Sequence, residues 1–308
     1  MRIGVVGTGY WGSKVAAEYS LLKAEGIVDK VLAYDIVPDR GRNLPIQGLV
    51  RAASLDTLFE AVDAVHICTP IPTHFSVATA ALSRKKHVLV EKPMATSARE
   101  CQDLMALAAR EGLLLQVGHI FRFSALLERM RELIVSGKIG VPQHFSLSWT
   151  QPITNGGGAN AIQNSSVDWD LLPHPVDILN QLTDTWPDSV RGLRPLNPGS
   201  RSGLMAHVFL SYNRGPTALV EVSFAHCVKR REIQVIGSEG MIIADVVEGG
   251  MTRYGPNGER DIFTIQNNTL RGELEHFVAS IESGKNSRIS SVIGLQVVSI
   301  IEKSLENQ

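Results

Sequence analysis

The stretch Val5-Val6-Gly7-Thr8-Gly9-Tyr10-Trp11-Gly12 decides how the first part of this chain folds. It joins an apolar run, residues 2–6, to an amphipathic stretch, residues 11–25, which Gly26 stops. Three glycines at GxGxxG spacing between a strand and a helix each have a task. Gly7 makes the tight turn, Gly9 lets the backbone approach an anion, and Gly12 lets the helix pack on the strand. The N–H groups of the helix's first turn have no partner within the helix, so they face a pyrophosphate. The distal partner is Asp35, at the end of the second apolar run and 23 residues beyond Gly12, where a carboxylate accepts hydrogen bonds from an adenosine ribose. A 2′-phosphate about 4 Å away would meet repulsion on the order of 4 kcal/mol per unit charge at an effective dielectric near 20, so NAD is expected over NADP. Arg40 and Arg42, which in principle neutralise such a phosphate, fall past the strand end.

Outward from this turn, short apolar runs at 2–6, 31–34, near 49, 62–67, 87–90 and 113–117 alternate with helical patterns, one of them over 96–111 and closed by Gly112. That alternation predicts successive βαβ units, hence a doubly wound parallel α/β domain over residues 1–120. After Arg122 the grammar changes. A helix over 124–136 is followed by strand patterns at 144–150, 204–212, 218–224, 232–236 and 241–246, without helices between most of them. One helix over 171–181 interrupts the run, and two more, 271–283 and 291–305, close the chain. Residues 121–308 therefore read as an α+β domain with a large, mostly antiparallel open sheet that binds substrate and pairs subunits. Asn155-Gly156-Gly157-Gly158-Ala159-Asn160 reads as a mobile loop near a cleft.

Composition narrows the function. The 308 residues carry 30 basic and 31 acidic side chains, a formal net charge of −1, and 44% apolar residues. A chain of this length buries about three quarters of its unfolded surface and needs no staple. The short basic runs Arg84-Lys85-Lys86 and Lys229-Arg230-Arg231 lack the continuous footprint of a phosphate-backbone binder, so no nucleic acid is expected. Cys68, Cys101 and Cys227 are odd in number and set among apolar residues, which fits reduced thiols in a cytoplasmic protein, and no metal-ligand spacing such as CxxC is present. No apolar run approaches the roughly 18 residues of a membrane span, so no membrane partner is expected.

A second constellation sits on the carboxyl side of the predicted strands. Glu91-Lys92-Pro93 follows the fifth, and Pro93 keeps Lys92 extended. Thr69-Pro70 and Thr73-His74 follow the fourth strand, and Gly118-His119 and Arg122-Phe123 the sixth. Together with the glycine turn, this pattern resembles the glucose-fructose oxidoreductase and inositol dehydrogenase family, Gfo/Idh/MocA, across essentially the whole chain. The strand-rich second half and the Val235-Ile236-Gly237-Ser238-Glu239-Gly240 turn belong to the resemblance. So does Asp170-Leu171-Leu172-Pro173-His174, which matches the family's Asp-x-Gly-x-His segment with Leu172 in place of the glycine.

The resemblance implies that Gly7, Thr8, Gly9, Tyr10, Trp11, Gly12, Asp35, Thr69, Pro70, His74, Glu91 and Lys92 line the dinucleotide site. It implies that Lys92, His119, Arg122, Trp169, Asp170 and His174 meet a sugar, cyclitol or nucleotide-sugar substrate. His174 is the expected acid/base, Asp170 orients it or a substrate hydroxyl, and Lys92 hydrogen-bonds the reacting oxygen and shares the proton. Histidine titrates near 6.5 and lysine near 10.4, which favours histidine as the base at neutral pH. For His74, His119 and Arg122 a bracing role is the alternative, for Trp169 a buried anchor, for His174 packing or capping. His66 reads as a core histidine and Asp177 as a first-turn acid. The expected activity is an NAD-dependent CH–OH dehydrogenase, in a homodimer or homotetramer. Its rivals are an NAD-dependent glycosidase of the same family and a non-catalytic dinucleotide sensor.

Overall fold

The computed structural model describes residues 1–37, 49–152, 166–194, 204–284 and 288–306. Pro38, Arg40, Arg42 and the 155–160 glycine loop lie outside the described residues. The chain forms two compact units, one of Met1–Ile120 with Thr269–Val298, the other of Phe121–Asn268 with Ser299–Gln308.

In the first unit the strands are β1 (Arg2–Val6), β2 (Lys30–Tyr34), β3 (Val50–Arg51), β4 (Ala64–Ile67), β5 (His87–Glu91) and β6 (Leu115–Gly118). They pair in the order β3-β2-β1-β4-β5-β6, and every pairing is parallel. All four residues of β1 after Arg2 are buried, which is why this strand reads as a continuous apolar run instead of an alternating one. The helices α1 (Tyr10–Ala24), α2 (Leu55–Ala61), α3 (His74–Ser83) and α4 (Ala98–Glu111) make the crossovers. The strand order reverses between β1 and β4, so the connections leaving them diverge and open the crevice in which such sheets bind ligands.

In the second unit α5 (Ala125–Val135) leads into β7 (Pro142–Thr150). A one-turn helix α6 (Val167–Asp170), helix α7 (Pro173–Thr183) and strands β8 (Ser189–Leu193), β9 (Met205–Ser211), β10 (Thr217–Ser223), β11 (Arg230–Gly237), β12 (Met241–Asp245), β13 (Gly250–Tyr254) and β14 (Arg260–Thr264) follow. The eight strands pair as β14-β13-β12-β11-β7-β10-β9-β8, antiparallel except between β7 and β10. Strands β8, β13 and β14 escape the sequence reading. Two of them are sheet edges, and β14 (Arg-Asp-Ile-Phe-Thr) keeps four of its five residues exposed, so no apolar alternation marks it.

The closing helices α8 (Thr269–Ser283) and α9 (Ser291–Glu306) correct the sequence division, which places everything after residue 120 in the second domain. Residues 269–298 cluster with the first unit. Arg271 of α8 ion-pairs with Glu25, Val117 N–H donates to Ile289 O at 3.0 Å, and a Cβ added at Gly294 of α9 would lie 2.6 Å from Val117 Cγ2. Leu274, Phe277, Val278, Ile289 and Val297 are buried. Periodicity identifies the apolar face of such a helix, not the sheet that face will cover.

Candidate functional site

The glycine turn is built as the sequence predicts. Gly7 has φ +89°, and its N–H donates to Tyr34 O at 2.8 Å, while Cys68 N–H donates to Val6 O at 2.8 Å. A Cβ at Gly7 would lie 2.8 Å from Cys68 O, and one at Gly12 only 1.8 Å from Gly7 O. At Gly9 the reverse holds: no atom of the described residues lies within 4 Å of an added Cβ. Gly9 is also the N-cap of α1 and has no side chain to cap it. No side chain therefore caps the first turn of α1 at Gly9, and the open approach there fits a dinucleotide pyrophosphate.

Asp35 stands beside this turn and also holds it. Its Oδ2 accepts from Thr8 N–H at 2.7 Å and Thr8 Oγ1 at 3.2 Å, and its Oδ1 accepts from Val37 N–H at 2.9 Å. A carboxylate has about four lone-pair sites, so acceptor capacity remains for ribose hydroxyls. Tyr10 is exposed, with Lys14 Nζ 2.9 Å from its hydroxyl.

At the carboxyl end of β5, Glu91 is buried and immediately precedes Lys92. Trp11 Nε1–H donates to Glu91 Oε1 at 2.6 Å, and His66 Nε2 lies 3.1 Å from the same oxygen. Burial pushes the Glu91 carboxyl upward, but His66, the Trp11 hydrogen bond and the Lys92 charge outweigh it, leaving it below the ordinary carboxylate range. The indole of Trp11 thus ties the first turn of α1 to the residue preceding Lys92. His66, expected in the core, is there, and it has Glu91 as its partner.

His74 is a clamp. Its Nδ1 lies 2.8 Å from Pro93 O and its Nε2 2.8 Å from Thr69 O, so both ring nitrogens are taken by the backbone after β4 and β5. Burial lowers its pKa, against the raising effect of those two carbonyls. Thr73 Oγ1 adds a 2.8 Å hydrogen bond to Thr69 Oγ1. His119 is buried on the same unit, and Lys92 is half-buried, joined to Pro93 by a cis peptide bond.

In the second unit, Pro173 starts α7, as its tolerance of a first-turn position predicts. Asp170 ends α6, a separate turn. His174 is half-buried, and its ring meets Phe121 edge-on at 5.1 Å and lies 6.1 Å from Trp149. Phe121 also stacks edge-on against Trp149 at 5.1 Å. Trp169 is half-buried rather than a fully buried anchor.

Arg122, expected to meet substrate or to brace the fold, is held by side chains of α7. Its Nε–H donates to Asp177 Oδ1 at 2.6 Å and its Nη2–H to Asn180 Oδ1 at 2.6 Å, with side-chain exposures of 12% for Arg122 and 2% for Asp177. Asp177 correspondingly is not a first-turn acid complementing the helix dipole. It lies in the middle of α7, a buried counter-charge.

Arg231 is a residue the sequence reading misses, treating it as part of a scattered basic run. It is 8% exposed, lies directly opposite Trp149 in the β11–β7 register, and sits over the Trp149 ring at 4.9 Å. The available signal is phase: Arg231, Ile233 and Val235 alternate along β11 on one buried face.

Among the described residues no helix is long and apolar enough to cross a membrane. Residues 1–119 match the family model described as oxidoreductase family, NAD-binding Rossmann fold, and residues 127–243 match that of the GFO/IDH/MocA C-terminal domain. The chain is 26% identical over 309 aligned positions to UDP-N-acetylglucosamine 3-dehydrogenase of Acidithiobacillus ferrooxidans, covering 97% of this chain and 94% of that one. It is 29% identical to inositol 2-dehydrogenase 3 of Saccharopolyspora erythraea over 83% of this chain and 76% of that one. A solved structure of the Acidithiobacillus enzyme shares the fold, with TM-score 0.86 at 24% identity over 99% of this chain and 96% of that one. The glycine turn, the Lys92 strand end and the strand-rich second unit are accordingly those of an NAD(P)-dependent oxidoreductase, and this chain belongs to the Gfo/Idh/MocA family.

Proposed function

We propose that this enzyme transfers a hydride between nicotinamide and a secondary alcohol carbon of a sugar, cyclitol or nucleotide sugar. The observation that carries the reading is that the open Gly9 turn after β1 and Lys92 after β5 stand on one edge, the carboxyl edge, of one parallel sheet. The relatives named above act, by their names, on polyhydroxylated rings, which supports the substrate class.

Bound NAD supplies the hydride acceptor. Gly9 and the first turn of α1 hold its pyrophosphate, and the remaining acceptor sites of Asp35 hold the ribose hydroxyls and disfavour a 2′-phosphate. On the substrate, His174 takes the hydroxyl proton as the carbon gives up hydride, and Asp170 orients His174 or a neighbouring hydroxyl. Lys92 donates a hydrogen bond to the oxygen on which charge develops. Exposed Phe209, Ile236 and Ile262 on the strands of the second unit suit pairing with a second copy, so light scattering is expected to give a multiple of 33.6 kDa.

The test is an NADH-absorbance panel of free sugars, cyclitols and nucleotide sugars. Activity confined to simple aliphatic alcohols would refute the substrate class. Release of sugar from an aryl glycoside without net NADH would refute net dehydrogenation.

A further inference from the structure

A buried guanidinium in the second unit, that of Arg231, has no counter-charge in contact with it among the described residues. Arginine has five N–H donors and cannot shed its charge in a protein. Arg231 uses three: Nη1 donates to Thr150 O at 2.6 Å and Arg230 O at 2.9 Å, and Nη2 donates to Gln151 Oε1 at 3.0 Å. All three acceptors are neutral. The Nε–H and one Nη2–H, the side of the fork that matches a planar pair of oxygens, have no acceptor among the described residues.

Two part-buried arginines of this unit are paired with acids. Arg122 meets Asp177 at 2.6 Å and Arg194 meets Asp168 at 2.5 Å. For Arg231 the nearby acid is Asp170, which acts at a distance and forms no ion pair with it. Burial lowers the Arg231 pKa to about 10 despite the opposing pull of Asp170. A desolvated charge with only neutral acceptors is costly, so an arginine retained there suits an anion that arrives from outside.

A second open donor stands at the same place. Trp149 is fully buried beneath the Arg231 guanidinium, and its indole N–H has no acceptor among the described residues. Trp149 is also the ring that lies 6.1 Å from His174. Trp149 thus stands between the partly unfilled fork of Arg231, at 4.9 Å from its ring, and the proposed acid/base His174, at 6.1 Å, all within one unit.

We infer that Arg231 is a specificity-determining residue that binds an anionic oxygen group, a carboxylate or a phosphate, on the substrate that His174 serves. The inference rests on the dehydrogenase reading for its chemistry but not for its binding. Charged hydrogen bonds are roughly twice as strong as neutral ones, and leaving the fork unfilled by a neutral substrate forfeits them.

The experiment measures binding and turnover separately on the NAD-loaded full-length protein. The probes are hexuronates, aldonates, hexose phosphates and nucleoside-diphosphate sugars, each beside its neutral counterpart, by calorimetry and by NADH absorbance. At least one anionic probe should bind about tenfold or more tightly than its counterpart. The carboxylate and phosphate arms identify which oxygen group the site takes. Arg231→Gln should weaken that probe by roughly 10- to 100-fold more than it weakens the neutral counterpart. Arg231→Lys, which keeps the charge but loses the fork, should fall between. Equal binding of anionic and neutral probes by the unmodified protein would overturn the inference without relying on any variant's folding. So would equal losses for both classes in Arg231→Gln, or no anionic probe binding at all. Anion binding without NADH formation supports Arg231 and refutes the dehydrogenase reading, whereas turnover of neutral polyols alone does the reverse.

Discussion

Arg122 and Arg231 are arginines of the second unit with little exposed side chain, and their surroundings differ in one respect. Arg122 lies against a buried carboxylate and an amide oxygen, each at 2.6 Å, and helps fix α7. Arg231 lies on an indole ring with neutral acceptors on one side and nothing of the described protein to take its remaining donors. The first unit repeats the Arg122 pattern with opposite sign. Buried Glu91 takes the Trp11 and His66 donors at a single oxygen and has Lys92 as its chain neighbour. A charge saturated by its own protein serves the fold, whereas one left partly unsatisfied serves a ligand. Removing the first kind should damage stability, and removing the second should damage recognition or rate.

The largest effect expected is on rate. Lys92→Met should cut turnover by about 10²- to 10⁴-fold on a confirmed substrate, since positioned proton transfer and stabilisation of the developing alkoxide are lost together. NAD affinity, which depends on the glycine turn, should stay within a few fold. Near-normal turnover would show that the Lys92 strand end is structural.

Next comes Arg122→Met, which leaves Asp177 buried without its counter-charge and should cost about 3–5 kcal/mol in denaturant unfolding. Arg231→Leu tests the other side of the comparison. It strands no carboxylate but leaves neutral acceptors without a donor, so its stability cost should be about 1–3 kcal/mol, below that of Arg122→Met. Equal destabilisation by the two substitutions would erase the distinction drawn between them.

Trp11→Phe keeps an aromatic ring on α1 but removes one of the donors to Glu91. A loss of about 1–3 kcal/mol is expected, the cost of leaving a buried charged acceptor short of a partner. Wild-type stability within about 0.5 kcal/mol would show that the contact is incidental.

The smallest effect is on pH dependence. His74 has its pKa lowered in the folded state, chiefly by burial, so the unfolded chain binds its proton first as pH falls. The contribution of His74 should be complete above its ordinary value near 6.5 and be lost as pH drops below it. Glu91, lowered by its hydrogen bonds, should begin to lose its contribution only at more acid pH, below the ordinary glutamate value near 4.3. Thermal unfolding of wild type and His74→Gln across pH 7 to 4 checks the first step, and a flat wild-type profile between pH 7 and 5 would contradict it.

The local features of this protein are set by residues close together in sequence. GxGxxG at a strand end forces the tight turn because Gly7 adopts a positive φ and Gly12 leaves no room for a Cβ, and Pro173 starts α7 because a first-turn position needs no N–H. Alternation over a few residues likewise separates the parallel half of the chain from the mostly antiparallel half. Pairings between distant segments are another matter. Arg122 and Asp177 are 55 residues apart, and His74 reaches Pro93 across 19 residues. Residues 269–298 return to the first unit after the whole second sheet has been built. Arg231 looks like a surface cation in its Lys-Arg-Arg run, and only the β11 register that sets it opposite Trp149 buries it. A periodic pattern records which side of an element avoids water. The element that covers it, and the partner a buried charge finds there, follow from the path of the whole chain, which no local pattern contains.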